Sequence, residues 1–104
     1  MEKIDLGTEL KLNINIEPID GVSMSSYNWE AEIYCNTRKV VKIPKSSAKK
    51  KDNNNYIIML DTNEVGVGAL RCRITAQIPD TDFADKLRTE VTVINTDINI
   101  VQPI

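Results

Sequence analysis

The sequence contains no histidine, only two cysteines and few aromatic residues. The absence of histidine excludes histidine metal sites and histidine acid–base chemistry. Two cysteines are too few for a four-cysteine zinc site or for a disulfide-rich secreted scaffold. An aromatic content of 5% also argues against a stacking platform for single-stranded nucleic acid.

Long apolar runs and known catalytic motifs are missing as well. No stretch approaches the roughly 18 residues of a membrane span, and the start, Met1–Asp5, lacks the apolar core of a signal peptide. We therefore expect synthesis in a cytoplasm and no membrane partner. The sequence has no glycine-rich phosphate loop and no nucleophile elbow, so we expect no enzyme, no cofactor and no metal ion.

The 104 residues, of which 41% are hydrophobic, suffice for one core, and we expect a single domain over residues 1–104. Apolar residues recur at every second position, which is typical of half-buried strands. The clearest alternation covers Leu70–Ile78, and two others cover Leu10–Ile16 and Tyr27–Cys35. The remaining predicted strands are Arg38–Ile43, Tyr56–Leu60 and a final strand from about Arg88 that is interrupted at Asn95–Asp97.

About seven strands separated by turn signals, with no convincing helix, predict an all-β fold. The spacing favours an antiparallel immunoglobulin-like β-sandwich, and parallel strands are not expected because there are no crossover helices. Pro18–Gly21 predicts a turn. The polar segment Lys45–Asn55 predicts an exposed hairpin loop. Asp61–Glu64 predicts at most one helical turn, with Asp61 as the N-cap.

The formal net charge of −2 hides a separation of charge along the sequence. One segment carries seven cations and no acid, so the rest of the chain carries −9. The seven cations are Arg38, Lys39, Lys42, Lys45, Lys49, Lys50 and Lys51.

This cationic segment allows three interpretations. It can contact an acidic protein partner, which includes a second copy of the chain; it can contact nucleic acid; or its charges can simply blunt an edge strand. The pI of about 5.1 disfavours nucleic acid. We therefore predict a candidate partner-contact loop and a homo-oligomer or multi-copy assembly.

Three smaller groups of residues have structural interpretations. Cys35 and Cys72 lie on strand faces that the alternation predicts to point into the core. Without a secretion signal we expect free buried thiols, with a disulfide as the less favoured alternative. The loop Pro79–Asp85 departs from a calcium-binding loop, so we expect a solvated turn whose Phe83 plugs the end of the sandwich. Arginine and glutamate residues on the wet faces of two strands predict cross-strand ion pairs, and these are Arg71, Arg73, Glu30 and Glu32.

Several short segments resemble a family of small proteins encoded by tailed bacteriophages, including crAss-like phages, and by prophages of gut Bacteroidetes. The resemblance spans nearly the whole chain and depends on the order and spacing of its segments. These are Ile4–Thr8, Ile16–Gly21, Asp61–Thr62 with Val65–Gly68, Ile78–Phe83 and Arg88–Val91.

The resemblance implies an immunoglobulin-like virion structural protein, a capsid decoration or head-fibre component that binds capsid, fibre or tail proteins. It implies no catalytic residues. A tail or baseplate adaptor is the alternative within phage biology. A glycan-binding domain is an alternative from another functional class, for which Tyr34 and Tyr56 are the candidate aromatic residues on solvent-exposed strand faces. A nucleic-acid chaperone is the third alternative.

Overall fold

The computed structural model describes residues 2–16, 23–36 and 39–103. Within these ranges the chain forms eight strands and three single turns of 3₁₀ helix. The strands are β1 (Glu2–Asp5), β2 (Glu9–Asn15), β3 (Asn28–Tyr34), β4 (Val40–Pro44), β5 (Lys49–Asp52), β6 (Asn55–Asp61), β7 (Gly68–Pro79) and β8 (Leu87–Val101). A five-stranded sheet has the order β1-β8-β7-β3-β4, and a three-stranded sheet has the order β2-β6-β5. The all-β prediction is therefore confirmed, with two sheets.

The core lies between the two sheets. The rings of Trp29 on β3 and Tyr56 on β6 meet edge to face across the core, with centroids 5.1 Å apart, a geometry that aromatic pairs prefer. The alternation predicted over Leu70–Ile78 is confirmed, because every second residue from Leu70 is buried. This one-sided burial leaves the opposite face of the five-stranded sheet exposed to solvent.

β1 is a strand that the sequence pattern missed. It pairs in parallel with β8, from Glu2 opposite Ile98 to Asp5 opposite Val101, which corrects the expectation of a purely antiparallel fold. The expectation failed because the crossover connection that a parallel pair needs does not have to be a helix, and here the chain from β2 to β7 supplies it. Only Ile4 of β1 is half-buried, so the strand carries no alternation signal.

β8 is one continuous strand rather than two segments. The interruption predicted at Asn95–Asp97 is a bulge, where the register with β7 shifts between Ala69 and Arg71. The Thr96 hydroxyl donates a hydrogen bond to the carbonyl of Leu70 at 2.7 Å, which fills the gap in the ladder. The polar residues thus mark an irregularity within the strand and not its end.

The segment predicted as an exposed hairpin loop is partly regular structure. Lys45–Ser47 forms a 3₁₀ turn, and Lys49–Asp52 is β5, paired antiparallel with β6. The loop prediction was wrong here because edge pairing uses backbone groups and needs no apolar side chains. The strand predicted at Arg38–Ile43 is β4. Arg38 and the turn predicted at Pro18–Gly21 lie outside the described residues.

Candidate partner-contact surfaces

The structure divides the cations of the predicted partner-contact loop among several places. Lys39 is exposed just before β4, and Lys42 on β4 lies opposite Glu32 of β3. Lys49, Lys50 and Lys51 are all exposed on β5, and Arg38 lies outside the described residues. The basic region is thus not one loop, and its densest part is an edge strand.

Lys45 has a structural role, because its ammonium group bonds backbone carbonyl oxygens of the same chain. Its Nζ donates hydrogen bonds to the carbonyl oxygens of Tyr27, at 2.7 Å, and Ser25, at 3.1 Å. Partial burial, and to a lesser extent the charge of Lys50, lower the pKa of the Lys45 ammonium. A lysine that holds two backbone carbonyls is a structural link between the β4–β5 connection and the start of β3, so it leaves the set of contact residues.

The lysine triplet lies on a strand edge that is poorly suited to backbone pairing. β5 has four residues, and its register with β6 shifts between Lys50 and Asp52. Short length, lysines and bulges are the devices by which proteins protect edge strands from pairing. Any contact through Lys49–Lys51 is therefore an electrostatic one made by side chains.

The acidic loop after β7 is a set of tight turns. The Asp80 carboxylate receives a hydrogen bond from Arg88 at 2.9 Å and from the backbone N–H of Asp82 at 3.0 Å. The Asp85 carboxylate accepts from the N–H of Leu87 at 3.1 Å. Phe83 is 48% exposed, so the prediction that it plugs the end of the sandwich was wrong. No group of three or more acids or thiols in the described part of the chain is placed to hold a metal ion.

Both cysteines are free thiols. Cys72 lies on β7 opposite Ile33 of β3, and Cys35 follows the end of the same strand, β3, so both belong to the five-stranded sheet rather than to opposite sheets. Burial raises the pKa of the Cys72 thiol to about 12 and also raises the pKa of Cys35. High pKa values keep thiols protonated and unreactive at neutral pH. The expectation of a buried thiol is confirmed for Cys72, whereas Cys35 is only half-buried.

One of the predicted cross-strand ion pairs is present. Arg73 on β7 lies opposite Glu32 on β3, and its guanidinium makes two hydrogen bonds to the carboxylate, at 2.7 and 3.1 Å. The hydrogen bonds from Arg73 are the largest cause of the lowered pKa of Glu32. Arg71 instead lies opposite Tyr34, and Glu30 lies opposite Thr75, so those residues form no corresponding cross-strand pair.

The aromatic residues proposed for glycan contact are not both accessible. Tyr56 is 4% exposed and packs on Trp29, so the prediction that it lies on a wet face was wrong. Tyr34 is half-buried on the outer face of the five-stranded sheet. A single half-buried tyrosine is a weak basis for stacking against a sugar.

The edge of β8 is a candidate contact surface that the sequence pattern did not reveal. Val91 and Val93 share a face, as predicted, but they are 58% and 56% exposed. Leu87 at the start of β8 is 40% exposed. The alternation of apolar residues is the same for an inward and an outward face, so the period alone cannot show which face is buried.

Among the residues that the structure describes, no helix is long and apolar enough to cross a membrane. A cleft of about 420 Å³ lies between β2 and β8, lined in part by Leu12, Ile14, Cys72 and Ile94.

Comparison of the chain with models of protein families, with curated proteins and with solved structures finds no match.

Proposed function

We propose that this chain is a non-enzymatic structural protein of a bacteriophage virion, present in many copies. It acts as a capsid decoration or head-fibre component that docks on capsid or fibre proteins. The observation that carries the proposal is the separation of charge, in which three exposed lysines, Lys49–Lys51, lie together on β5 and the remainder outside the cationic segment carries −9.

An immunoglobulin-like arrangement of the strands supports this proposal. When strands β2 to β8 receive the immunoglobulin letters B, C, C′, D, E, F and G, the orders β8-β7-β3-β4 and β2-β6-β5 correspond to G-F-C-C′ and B-E-D. The buried Trp29 then lies on strand C and Cys72 on strand F, as in immunoglobulin domains. Strand B has Leu12 and Ile14 in its buried positions and no cysteine. Cys72 therefore has no partner on strand B with which to form the inter-sheet disulfide.

The mode of docking follows from the chemistry of β5. Exposed lysines on a protected strand edge attract an acidic surface and orient the encounter, and they add little affinity for each contact. Many copies arranged on a particle compensate for weak single contacts through effective concentration. A structural protein present in many copies is therefore suited to this arrangement.

Mass spectrometry of purified virions tests the proposal. We expect the chain in intact particles, and in the head fraction when heads and tails are separated. Its presence in tails alone would favour the tail or baseplate adaptor, and its absence from particles would overturn the structural role.

A binding experiment tests the role of β5. Particles that lack the protein are mixed with the purified native chain or with the triple variant K49Q/K50Q/K51Q, and the bound fraction is measured by co-sedimentation. We expect the triple variant to lose most binding, and the binding of the native chain to weaken as salt rises. The matched control is K3Q/K11Q/K86Q, which removes the same charge from exposed positions outside the cationic segment; an equal loss there would show that only net charge matters.

A further inference from the structure

The edge of β8 differs from the other sheet edges in the described residues. β1 pairs with this edge only from Ile98 to Val101, and no described strand pairs with it between Leu87 and Asp97. The other edges carry features that discourage strand pairing. These features are the lysines and bulge of β5, Lys42 and Pro44 on β4, Glu9 and Lys11 on β2, and Glu2 and Lys3 on the four-residue β1.

The hairpin turn shows which backbone groups of β8 point away from β7. The N–H of Asp80 donates to the carbonyl of Lys86 at 2.9 Å, so Lys86 is bonded toward β7. Bonded positions alternate in an antiparallel pair, and the even-numbered residues that follow are therefore bonded to β7 as well. The N–H and C=O groups of the odd-numbered residues point to the outer side of β8, and these residues are Leu87, Thr89, Val91, Val93 and Asn95.

The side chains along this edge combine apolar and charged residues in a definite order. Leu87 and Val91 are exposed on the outer face of the sheet. Arg88 and Glu90 alternate with them on the other face, opposite Ile78 and Ala76 of β7. An exposed edge with apolar side chains and outward-pointing backbone groups is suited to strand addition.

We propose that β8 pairs antiparallel with β8 of a second copy of this chain, about a two-fold axis at Thr89. In this register Leu87 lies opposite Val91 of the second copy, and Arg88 lies opposite Glu90 of the second copy. The two-fold axis produces each of these pairs twice. Apolar and oppositely charged cross-strand pairs both stabilise adjacent strands, so the edge is complementary to itself.

Other registers are less favourable. An axis at Arg88 or at Glu90 places like charges directly opposite each other, which destabilises a strand pair. An axis at Val91 places Arg88 opposite Ile94 and Glu90 opposite Thr92 of the second copy, so both oppositely charged pairs are lost. The axis at Thr89 gives about six backbone hydrogen bonds from three bonded pairs, and it leaves the contacts of Arg88 with Asp80 and Glu90 on the same face.

The product is one continuous sheet of ten strands that spans both copies. Its contact is short, so the dimer is reversible and its population depends on concentration. The inference does not depend on a virion role: a dimer can form whether or not the chain is found in particles, so the two proposals fail separately.

Sedimentation equilibrium with matched variants tests this inference. Val91 and Met59 are both 58% exposed, but Met59 lies on β6 of the other sheet. We expect V91K to lower the association constant at least about tenfold, because it places two lysines in the new strand pair. We expect M59K to stay within about twofold of the native chain. Equal effects, or a native chain that stays monomeric up to about 1 mM, would overturn the proposal.

A backbone variant separates dimerisation from folding. In T89P the lost N–H points away from β7, so the proline is tolerated at the outer edge of β8, whereas the central bonds to the second copy are removed. We expect T89P to be monomeric, with the circular dichroism spectrum of dilute native protein. Its melting temperature should fall only by the small amount due to the lost hydrogen bond from the Thr89 hydroxyl to Gln77. A folded T89P that dimerises as the native chain does would contradict the inference.

Cross-linking tests the register. Residues at a hydrogen-bonded antiparallel position have Cα atoms about 5.5 Å apart, within reach of a disulfide. We expect T89C to form a covalent dimer on mild oxidation, and the exposed control M59C to form little. A dimer from V91C in place of T89C, or equal cross-linking of M59C, would overturn the arrangement.

Discussion

Burial and local contacts shift the pKa values of several side chains in this protein. Cys72 is 2% exposed and has a pKa of about 12, whereas Cys35 is half-buried at the end of β3. Lys45 and Glu32 likewise have pKa values shifted by their surroundings. The reactivity of the two thiols and the pH dependence of the Glu32 contact can therefore be used to measure whether the surrounding structure is folded.

The two cysteines should differ in their reaction with iodoacetamide. Cys35 should be alkylated faster at pH 8, because it is partly exposed and its backbone lies outside the ladder. Cys72 should react only when the chain unfolds, since both the burial and the pKa of its thiol suppress attack. Mass spectrometry of peptides over time in increasing urea measures both rates. Alkylation of Cys72 without unfolding would show that β7 opens locally.

The Glu32–Arg73 pair should contribute stability that depends on pH. The folded-state pKa of Glu32 lies below its unfolded value, so the contribution is present above the unfolded pKa of about 4.3 and is lost as pH falls through the folded value. The difference in unfolding free energy between the native chain and R73A should therefore be larger at pH 7 than at pH 3. R71A is the control, because Arg71 lies opposite Tyr34, and its effect should not change with pH in this way.

Strands in this structure approach each other closely at the start of β7. A side-chain Cβ at Gly68 would lie 3.3 Å from the Cβ of Cys35, and the φ of Gly68 is +129°. Gly66, two residues earlier, also has a positive φ, of +78°, but has no heavy atom within 4 Å of the same position. Gly68 therefore differs from Gly66 in two respects: it has a close steric neighbour, and its φ lies farther from the left-handed region that L-residues can adopt.

Alanine substitutions at these glycines should differ in cost. Both variants carry the strain of a positive φ, about 1–3 kcal/mol. G68A should lose on the order of 1 kcal/mol more, because its φ lies farther from the left-handed region and because Cys35 must move. Urea denaturation of G66A and G68A measures the difference. Equal losses would mean that neither the φ of Gly68 nor its contact with Cys35 adds to the free-energy cost of the substitution.

The elements that could be predicted from the sequence are those with a buried face. β2, β3 and β7 show clear alternation, and the N-cap at Asp61, whose carboxylate accepts from the N–H of Asn63 at 3.0 Å, follows from local chemistry. β1 and β5 could not be predicted, because they are short edge strands held by backbone bonds. For the same reason the contact edge of β8 becomes visible only once its neighbours are known.

The molecule as a whole is elongated. Its principal extents are 53 × 27 × 23 Å, and its radius of gyration is 14.8 Å, against about 13 Å for a compact domain of 100 residues. The β7–β8 hairpin accounts for this length, since β8 alone has 15 residues. A long hairpin with one unpaired edge determines the shape of any assembly formed through it.

Small-angle X-ray scattering should show this shape directly. Twelve residue steps of about 3.3 Å separate Thr89 from Val101, so about 40 Å of each copy extends from the proposed axis. The maximum dimension should rise from about 53 Å for the monomer to roughly 80 Å at high concentration, and V91K should keep the smaller value. A dimer that stays near 55 Å would mean side-by-side packing.

The parallel pairing of β1 with β8 has a mechanical consequence. A force that pulls Glu2 and Val101 apart acts along these strands in opposite directions, so the bonds between them are loaded in shear and must break together. Resistance to such a force is governed by the rate of unfolding rather than by equilibrium stability. Tension between the two ends of this domain is therefore borne first by the four-residue ladder that joins them.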